Sequence, residues 1–298
     1  MSCNSTPNTL EIHLAPWTQN PFAWDTLDGN GCVKTEPYDE LEWLSPYLRI
    51  NYGISTICGG IFSFYLLYLV VFHTAERLLP YQKIILCCGI TDVMYWVTEN
   101  FCQFKAKQSD GVFLLRLDGP AAYFSREVQV AMTAIYVTSM CFVNTLLPAQ
   151  TYFRFYALTR SEILAPWKTI GLVACSVVST LPILVSGYLS YSNSAAVRPG
   201  YNYGELWFDQ YPLPILIIGD ITTIQLVTSV VPVAVIIFAA FLRLETGMTP
   251  TFCFMALSWI PIINPLLTMI VIVPYRRAVR KTLAWAIPYS KTNVITSQ

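Results

Sequence analysis

The sequence predicts an all-α fold, a polytopic bundle of membrane-crossing helices, and three observations carry that prediction. Six apolar stretches, at about residues 50–72, 84–104, 128–150, 169–191, 213–242 and 252–273, reach or exceed the length of a membrane span. A helix rising ~1.5 Å per residue needs about 20 residues to cross a hydrocarbon core of roughly 30 Å. Second, 54% of the 298 residues are hydrophobic and 12% charged, with a mean hydropathy of +0.49, too little polar surface to coat a water-soluble globule. Third, the formal net charge of zero conceals a strong asymmetry between the two ends.

Residues 1–49 hold seven acids, Glu11, Asp25, Asp28, Glu36, Asp39, Glu40 and Glu42, against Lys34 and Arg49. Pro7, Pro16, Pro21, Pro37, Gly29 and Gly31 punctuate the segment, which reads as a loosely ordered tail. It has no basic n-region leading into an apolar core, so the stretch at 50–72 is expected to serve as the signal-anchor. Asn4-Ser5-Thr6 is a glycosylation sequon.

The next three stretches alternate with short loops. Those at 73–83 and 153–168 carry Arg77, Lys83, Arg154, Arg160 and Lys168, which places them in the cytoplasm by the excess of Lys and Arg. Loops 105–127 and 192–212 then fall outside. The fifth stretch is anomalous: 30 residues of straight helix would be ~45 Å, too long for one upright span and too short for two plus a turn. Pro212, Pro214, Gly219 and Asp220 break its first third, leaving 222–242 as the helix. After the sixth stretch comes a tail with Arg276, Arg277, Arg280, Lys281 and Lys291 and no acid, which marks the C-terminal end as cytoplasmic.

The domain organisation expected is therefore an extracellular tail at 1–49, a transmembrane region at 50–283 and a cytoplasmic tail at 284–298. An even number of spans cannot connect ends on opposite sides. One crossing is missing from the count, and the break near 222–225 is where the parity fails.

Several chemistries are disfavoured. The two histidines are His13 and His73, and there is no Cys/His metal spacing, no GxSxG and no phosphate loop. The chain is expected not to be an enzyme and to need no cofactor, metal or nucleic acid. Of nine cysteines only Cys3, Cys32 and Cys102 could meet an oxidising outer side, so at most one disulfide among them is available.

Charges inside the membrane are the sharper clue, since burying one costs about 2.5 to 3.5 kcal/mol on the insertion scale. Asp92 lies near the middle of the second stretch. Glu99 follows seven residues later on the same helical face, with Tyr95 between them. Such a stripe lines an interior cavity or hydrogen-bonds between helices. Pro148, Pro182, Pro232, Pro261 and Pro265 each remove a backbone hydrogen bond and supply hinges where neighbours resatisfy the freed carbonyl.

Asn264-Pro265-Leu266-Leu267-Thr268, followed by Val273-Pro274-Tyr275-Arg276-Arg277, resembles the end of the last helix of nematode chemosensory serpentine receptors, most nearly the Str superfamily and its delta class. Pro80-Tyr81-Gln82-Lys83 leading to Thr91-Asp92, the run Asp118-Gly119-Pro120, and 148–156 closing the third span support the likeness, which covers about 47–283.

The resemblance implies a seven-helix, rhodopsin-like, G-protein-coupled receptor of the plasma membrane, with sensory cilia as its site and a heterotrimeric G protein as partner. It assigns Asp92, Asn264 and Pro265 to an activation switch and Arg154, Tyr275 and Arg276 to the G-protein face. Arg154 stands between Phe153 and Phe155, without the acid that neighbours the corresponding arginine in rhodopsin-like receptors. Glu99, Tyr95 and Tyr136 would edge a pocket for a small organic or peptide ligand. Against the family pattern, the fifth helix and third inner loop are missing, which implies an incomplete, non-signalling form. A six-span transporter or channel is the rival, favoured by the count itself and opposed by the lack of an internal repeat.

Overall fold

The computed structural model describes residues 12–34, 39–74, 79–109, 112–160, 165–193, 200–207, 213–220 and 249–286. Its helices are α1 (Asp39–Phe72), α2 (Leu79–Cys102), α3 (Arg126–Arg160), α4 (Pro166–Asn193), α5 (Thr249–Leu257), α6 (Ile260–Val271) and α7 (Val273–Ala286). Its strands are β1 (Phe104–Ser109), β2 (Val112–Leu117) and β3 (Ile217–Asp220). The missing crossing inferred near 222–225, most of the fifth stretch and the Asn4 sequon lie outside the described residues.

Among the described residues, four helical segments are long and apolar enough to cross a membrane: Trp43–Phe72, Arg126–Leu146, Trp167–Ser192 and Thr251–Ile270. The second stretch is helical over 24 residues, but Asp92, Glu99 and Asn100 lower its hydropathy. Consecutive helices α1 to α4 pack pairwise in sequence order, and α6 returns against α1 and α2.

The exposed apolar side chains explain the environment. On α1, Ile50, Ile54, Ile57, Ile61, Phe64, Tyr68 and Val71 recur at spacings of three and four and are all exposed. On α4, Ile170, Val178, Leu181, Val185 and Leu189 repeat the pattern. A continuous apolar surface of that kind is stable against lipid and costly in water. The opposite face of α1 begins before residue 50, because Leu44, Leu48 and Tyr52 form a buried stripe one turn apart. That stripe carries the helix back to Asp39, past the charged residues that hide the start from a hydropathy window.

The stretch at 252–273 is not one helix. It breaks at Ser258 and Trp259, where Pro261 enters the first turn of α6. Pro261 lacks the N–H that would bond Leu257 O, and Pro265 lacks the one that would bond Pro261 O. Pro261 O instead accepts a 3.0 Å bond from Ser63 Oγ. Asn51 Nδ2 donates to Ser258 Oγ at 2.9 Å, Trp259 Nε1 donates to Asn51 Oδ1 at 2.8 Å, and Ser55 Oγ donates to Ser258 O. Asn51, Ser55, Gly59 and Ser63 are spaced by four, so α1 presents one stripe of small and polar residues to the break. Gly59 and Gly60 also admit Trp96: a Cβ at either would come within 2.9 Å of the indole.

Loop 105–127, read from sequence as an outside connection, contains a β-hairpin. β1 pairs antiparallel with β2, Phe104 opposite Leu117 through Ser109 opposite Val112, and β3 adds to the other edge of β2. Alternation sorts the side chains. Phe104, Ala106, Phe113, Leu115, Leu117 and Ile217 join the core of the helix bundle, while Val112, Leu114 and Ile218 join a second core with Leu44, Leu48, Tyr52 and Trp207. The sheet is thus a lid with two buried faces. Gly119 lets the chain leave β2 across the end of α2, where a Cβ would lie 2.6 Å from Phe101 O.

Residues 12–34 form no long element but are tied to this lid. Asn20 Nδ2 donates to Pro214 O at 2.9 Å, and Asn202 exchanges two bonds with the Trp24 backbone. Cys32 is disulfide-bonded, and the other described cysteines form no disulfide. Arg276, Arg277, Arg280 and Lys281 lie on α7, which follows an extended turn at Ile272, and Lys291 lies outside the described residues.

Candidate functional site

One face of α2 and one of α3 meet beneath the lid. Asp92, Tyr95, Glu99 and Cys102 recur at three- and four-residue steps and are all buried, whereas Ile90, Met94 and Val97 on the opposite face are exposed. On α3 the matching stripe is Gln129, Thr133, Tyr136, Met140 and Val143. Thr98 Oγ1 and Ser139 Oγ, 3.0 Å apart, hydrogen-bond across the two helices.

Tyr95, Glu99 and Tyr136 are brought together. The Tyr95 and Tyr136 hydroxyls are 3.1 Å apart, and Tyr95 Oη donates to Leu257 O at 3.3 Å. Leu257 O is the carbonyl that Pro261 leaves without an α-helical donor. A tyrosine has one hydroxyl proton, so if Tyr95 donates to Leu257 O, Tyr136 donates to Tyr95. That assignment leaves no tyrosine proton for Glu99. Glu99 is 1% exposed; both tyrosine hydroxyls are close enough to interact with its carboxylate, yet neither oxygen makes a hydrogen bond of good geometry. Phe104 and Phe254 close the cluster, their ring centroids 4.7 and 6.1 Å from that of Tyr136.

Two turns along α2, away from the lid, Asn264 Nδ2 donates to Asp92 Oδ1 at 3.1 Å. Thr268 Oγ1 donates to Asn264 O at 2.9 Å, and Pro265 lies inside α6 between them. The three residues assigned to a switch are thus adjacent, in a layer separate from the Glu99 cluster.

At the end of the bundle opposite the lid, Tyr275 is fully buried among Leu66, Leu69, Val70, Ile84, Ile85 and Met269. Its hydroxyl pairs with Thr74 Oγ1 at 3.0 Å, and burial pushes the phenol above its ordinary value despite that bond. Arg276 is exposed beside it. Arg154 is on α3, and its side chain lies outside the described residues. Among the described residues, no group of three or more His, Cys, Asp or Glu is placed to hold a metal ion.

Sequence reasoning missed the Leu257 carbonyl, although the four-residue offset from Pro261 flags it. It also missed a cleft of about 340 Å³ between the start of α1 and the hairpin, lined by Ser45, Leu48, Arg49, Tyr52, Gln103, Lys105, Arg116 and Asp118.

Lipid-facing helices around a sealed polar cluster define an integral membrane protein. Among known proteins, the family described as serpentine type 7TM GPCR chemoreceptor Srd matches residues 48–244, and the chain belongs to that family. No curated protein and no solved structure matches it. The family is one of receptors, with a ligand and a G protein as the general kind of partner. The match takes in α1 from residue 48 onward, α2 to α4 and the hairpin, and ends before α5.

Proposed function

We propose that the chain is a chemosensory G-protein-coupled receptor that reads its ligand through Glu99, Tyr95 and Tyr136. The observation that carries this is the Tyr95 hydroxyl, which donates to the backbone carbonyl at the Pro261 break and lies within electrostatic reach of the buried Glu99 carboxylate. A ligand that shifts Glu99 so that its carboxylate accepts the Tyr95 proton competes with the bond to Leu257 O. Loss of that bond frees the hinge between α5 and α6. The Asp92–Asn264 pair and Pro265 then transmit the altered packing of α6 toward α7, two packings of the same helices carrying the signal.

In this reading the N-terminus is outside, the C-terminus is cytoplasmic, and the receptor resides in the plasma membrane of sensory cilia. Asn4 carries glycan and Arg154 and Arg276 meet the G protein, whereas Tyr275, assigned to that face by the resemblance, is buried and latches α7 through Thr74. The segments at 264–268 and 273–277, beyond the matched residues, support placing the chain in the Str superfamily and its delta class. Charge parity asks for one further crossing near 222–225, and a form lacking it would not signal.

A ligand screen tests the proposal: the chain is expressed with a promiscuous Gα subunit and calcium is read against an odorant and peptide panel. At least one compound activates the native chain, and Glu99→Gln abolishes that response at equal surface delivery. An unchanged dose–response curve in Glu99→Gln removes the cluster from the ligand site.

A further inference from the structure

At the end of the bundle opposite the lid, α7 carries a charge pattern that the receptor reading uses only at Arg276. The helix holds Arg276, Arg277, Arg280 and Lys281 and no acid, and all four side chains are exposed. Arg276 with Arg280, and Arg277 with Lys281, are like-charge pairs four residues apart, which destabilise a helix. Arg276 also stands in the first turn, at the positive end of the helix dipole. Among the described residues, none of the four side chains has an ion-pair or hydrogen-bond partner. The opposite side of α7 is fixed: Ala278 and Val279 pack against the core around Tyr275, and Tyr65 Oη donates to Thr282 Oγ1 at 3.1 Å. Tyr65 stacks on Tyr68, and Tyr68 and Phe72 belong to the exposed apolar surface of α1. The helix is thereby held at the outer edge of the bundle, beside a lipid-facing helix.

We propose that α7 docks on the anionic phospholipid headgroups of the adjoining leaflet. The headgroups supply the negative charge that the helix lacks, offsetting the repulsion among its cations, and the planar guanidiniums of Arg277 and Arg280 match phosphate oxygens. Two further exposed cations stand at the same end: Lys83, directly before the buried Ile84 of α2, and Lys168, one turn before Leu172 of α4, both of which pack in the core around Tyr275. Lys168 Nζ lies 5.5 Å from the ring centroid of Trp167, itself 70% exposed. Tryptophan and lysine of this kind anchor a helix end at headgroup level, which puts the α7 end of the bundle at the membrane surface. The proposal does not rest on the receptor reading.

The test is lipid preference of the full chain reconstituted in phosphatidylcholine vesicles that hold a trace of dansyl-labelled phosphatidylserine or dansyl-labelled phosphatidylcholine. Energy transfer from tryptophan reads how strongly each labelled lipid gathers at the protein. Phosphatidylserine is expected to associate about fivefold more strongly, the factor that one engaged cation contributes at a charged surface, and the preference falls as salt rises. The triple variant Arg277→Gln, Arg280→Gln and Lys281→Gln alters only exposed side chains and leaves Arg276 in place, so it keeps its Tm and loses the preference. Arg49→Gln, exposed at the lid end, retains it. Equal energy transfer from the two lipids in the native chain, or a preference that the triple variant keeps, overturns the proposal. Loss of the preference to inorganic phosphate at constant ionic strength also overturns it, since the patch would then be a site for a soluble anion. No ligand or G protein is present, so the receptor reading can fail in its own assay with this result intact.

Discussion

Replacing Glu99 by methionine should make the protein more stable and less responsive. The side chain is 1% exposed, and both its oxygens lack a hydrogen-bond partner. A buried polar group in that condition costs about 1 to 3 kcal/mol. Methionine has nearly the same length and volume, so the replacement removes the polar cost without opening a cavity. In a domain of this size, 1 kcal/mol moves Tm by roughly 2 to 4 °C, which puts the expected rise between about 2 and 12 °C. The assay is thermal unfolding of the purified chain in nanodiscs, followed by tryptophan fluorescence, beside the calcium response to an activating ligand. A carboxylate kept at such a cost without structural benefit fits a binding group. A fall in Tm with an unaltered response would refute the reasoning, since it would mean that Glu99 holds the fold together.

Further outcomes follow from the same geometry. Tyr95→Phe leaves Leu257 O and the Tyr136 hydroxyl short of a partner, which should lower stability by about 1 to 3 kcal/mol and raise ligand-independent signalling, read as basal calcium at matched delivery. Asp92→Asn can still accept from Asn264 through its amide oxygen, so surface delivery should persist while the ligand dose–response shifts. Gly119→Ala forces a Cβ to within 2.6 Å of the Phe101 carbonyl, a backbone atom that must give way. The cost, about 1 to 3 kcal/mol, should appear as reduced Tm without a change in ligand preference.

The parts of the fold that depend on local periodicity were legible in the sequence. The spans on α1, α3 and α4 follow from apolar length, and the Asp92–Tyr95–Glu99 face of α2 follows from helical spacing, which also places Tyr95 and Glu99 together against Tyr136. The lid was not legible. β1 carries Lys105, Lys107 and Gln108, which read as a polar loop, and β3 joins the sheet from about a hundred residues away. The start of α1 was displaced because Arg49 and the acids before it interrupt the apolar run that Leu44, Leu48 and Tyr52 continue on one face only. The break at Ser258 and Trp259 was signalled by Pro261 and Pro265. Which groups would resatisfy the freed carbonyls depended on Ser63 and Tyr95, distant in sequence, and no local pattern names them.

The central claim, a receptor with an odd number of crossings, is tested most directly by locating both termini in intact cells. Epitope tags at the two ends are stained with and without permeabilisation. The receptor account predicts an N-terminal tag accessible on intact cells and a C-terminal tag accessible only after permeabilisation. Both tags on one side would contradict it and return the chain to an even-span transporter or channel.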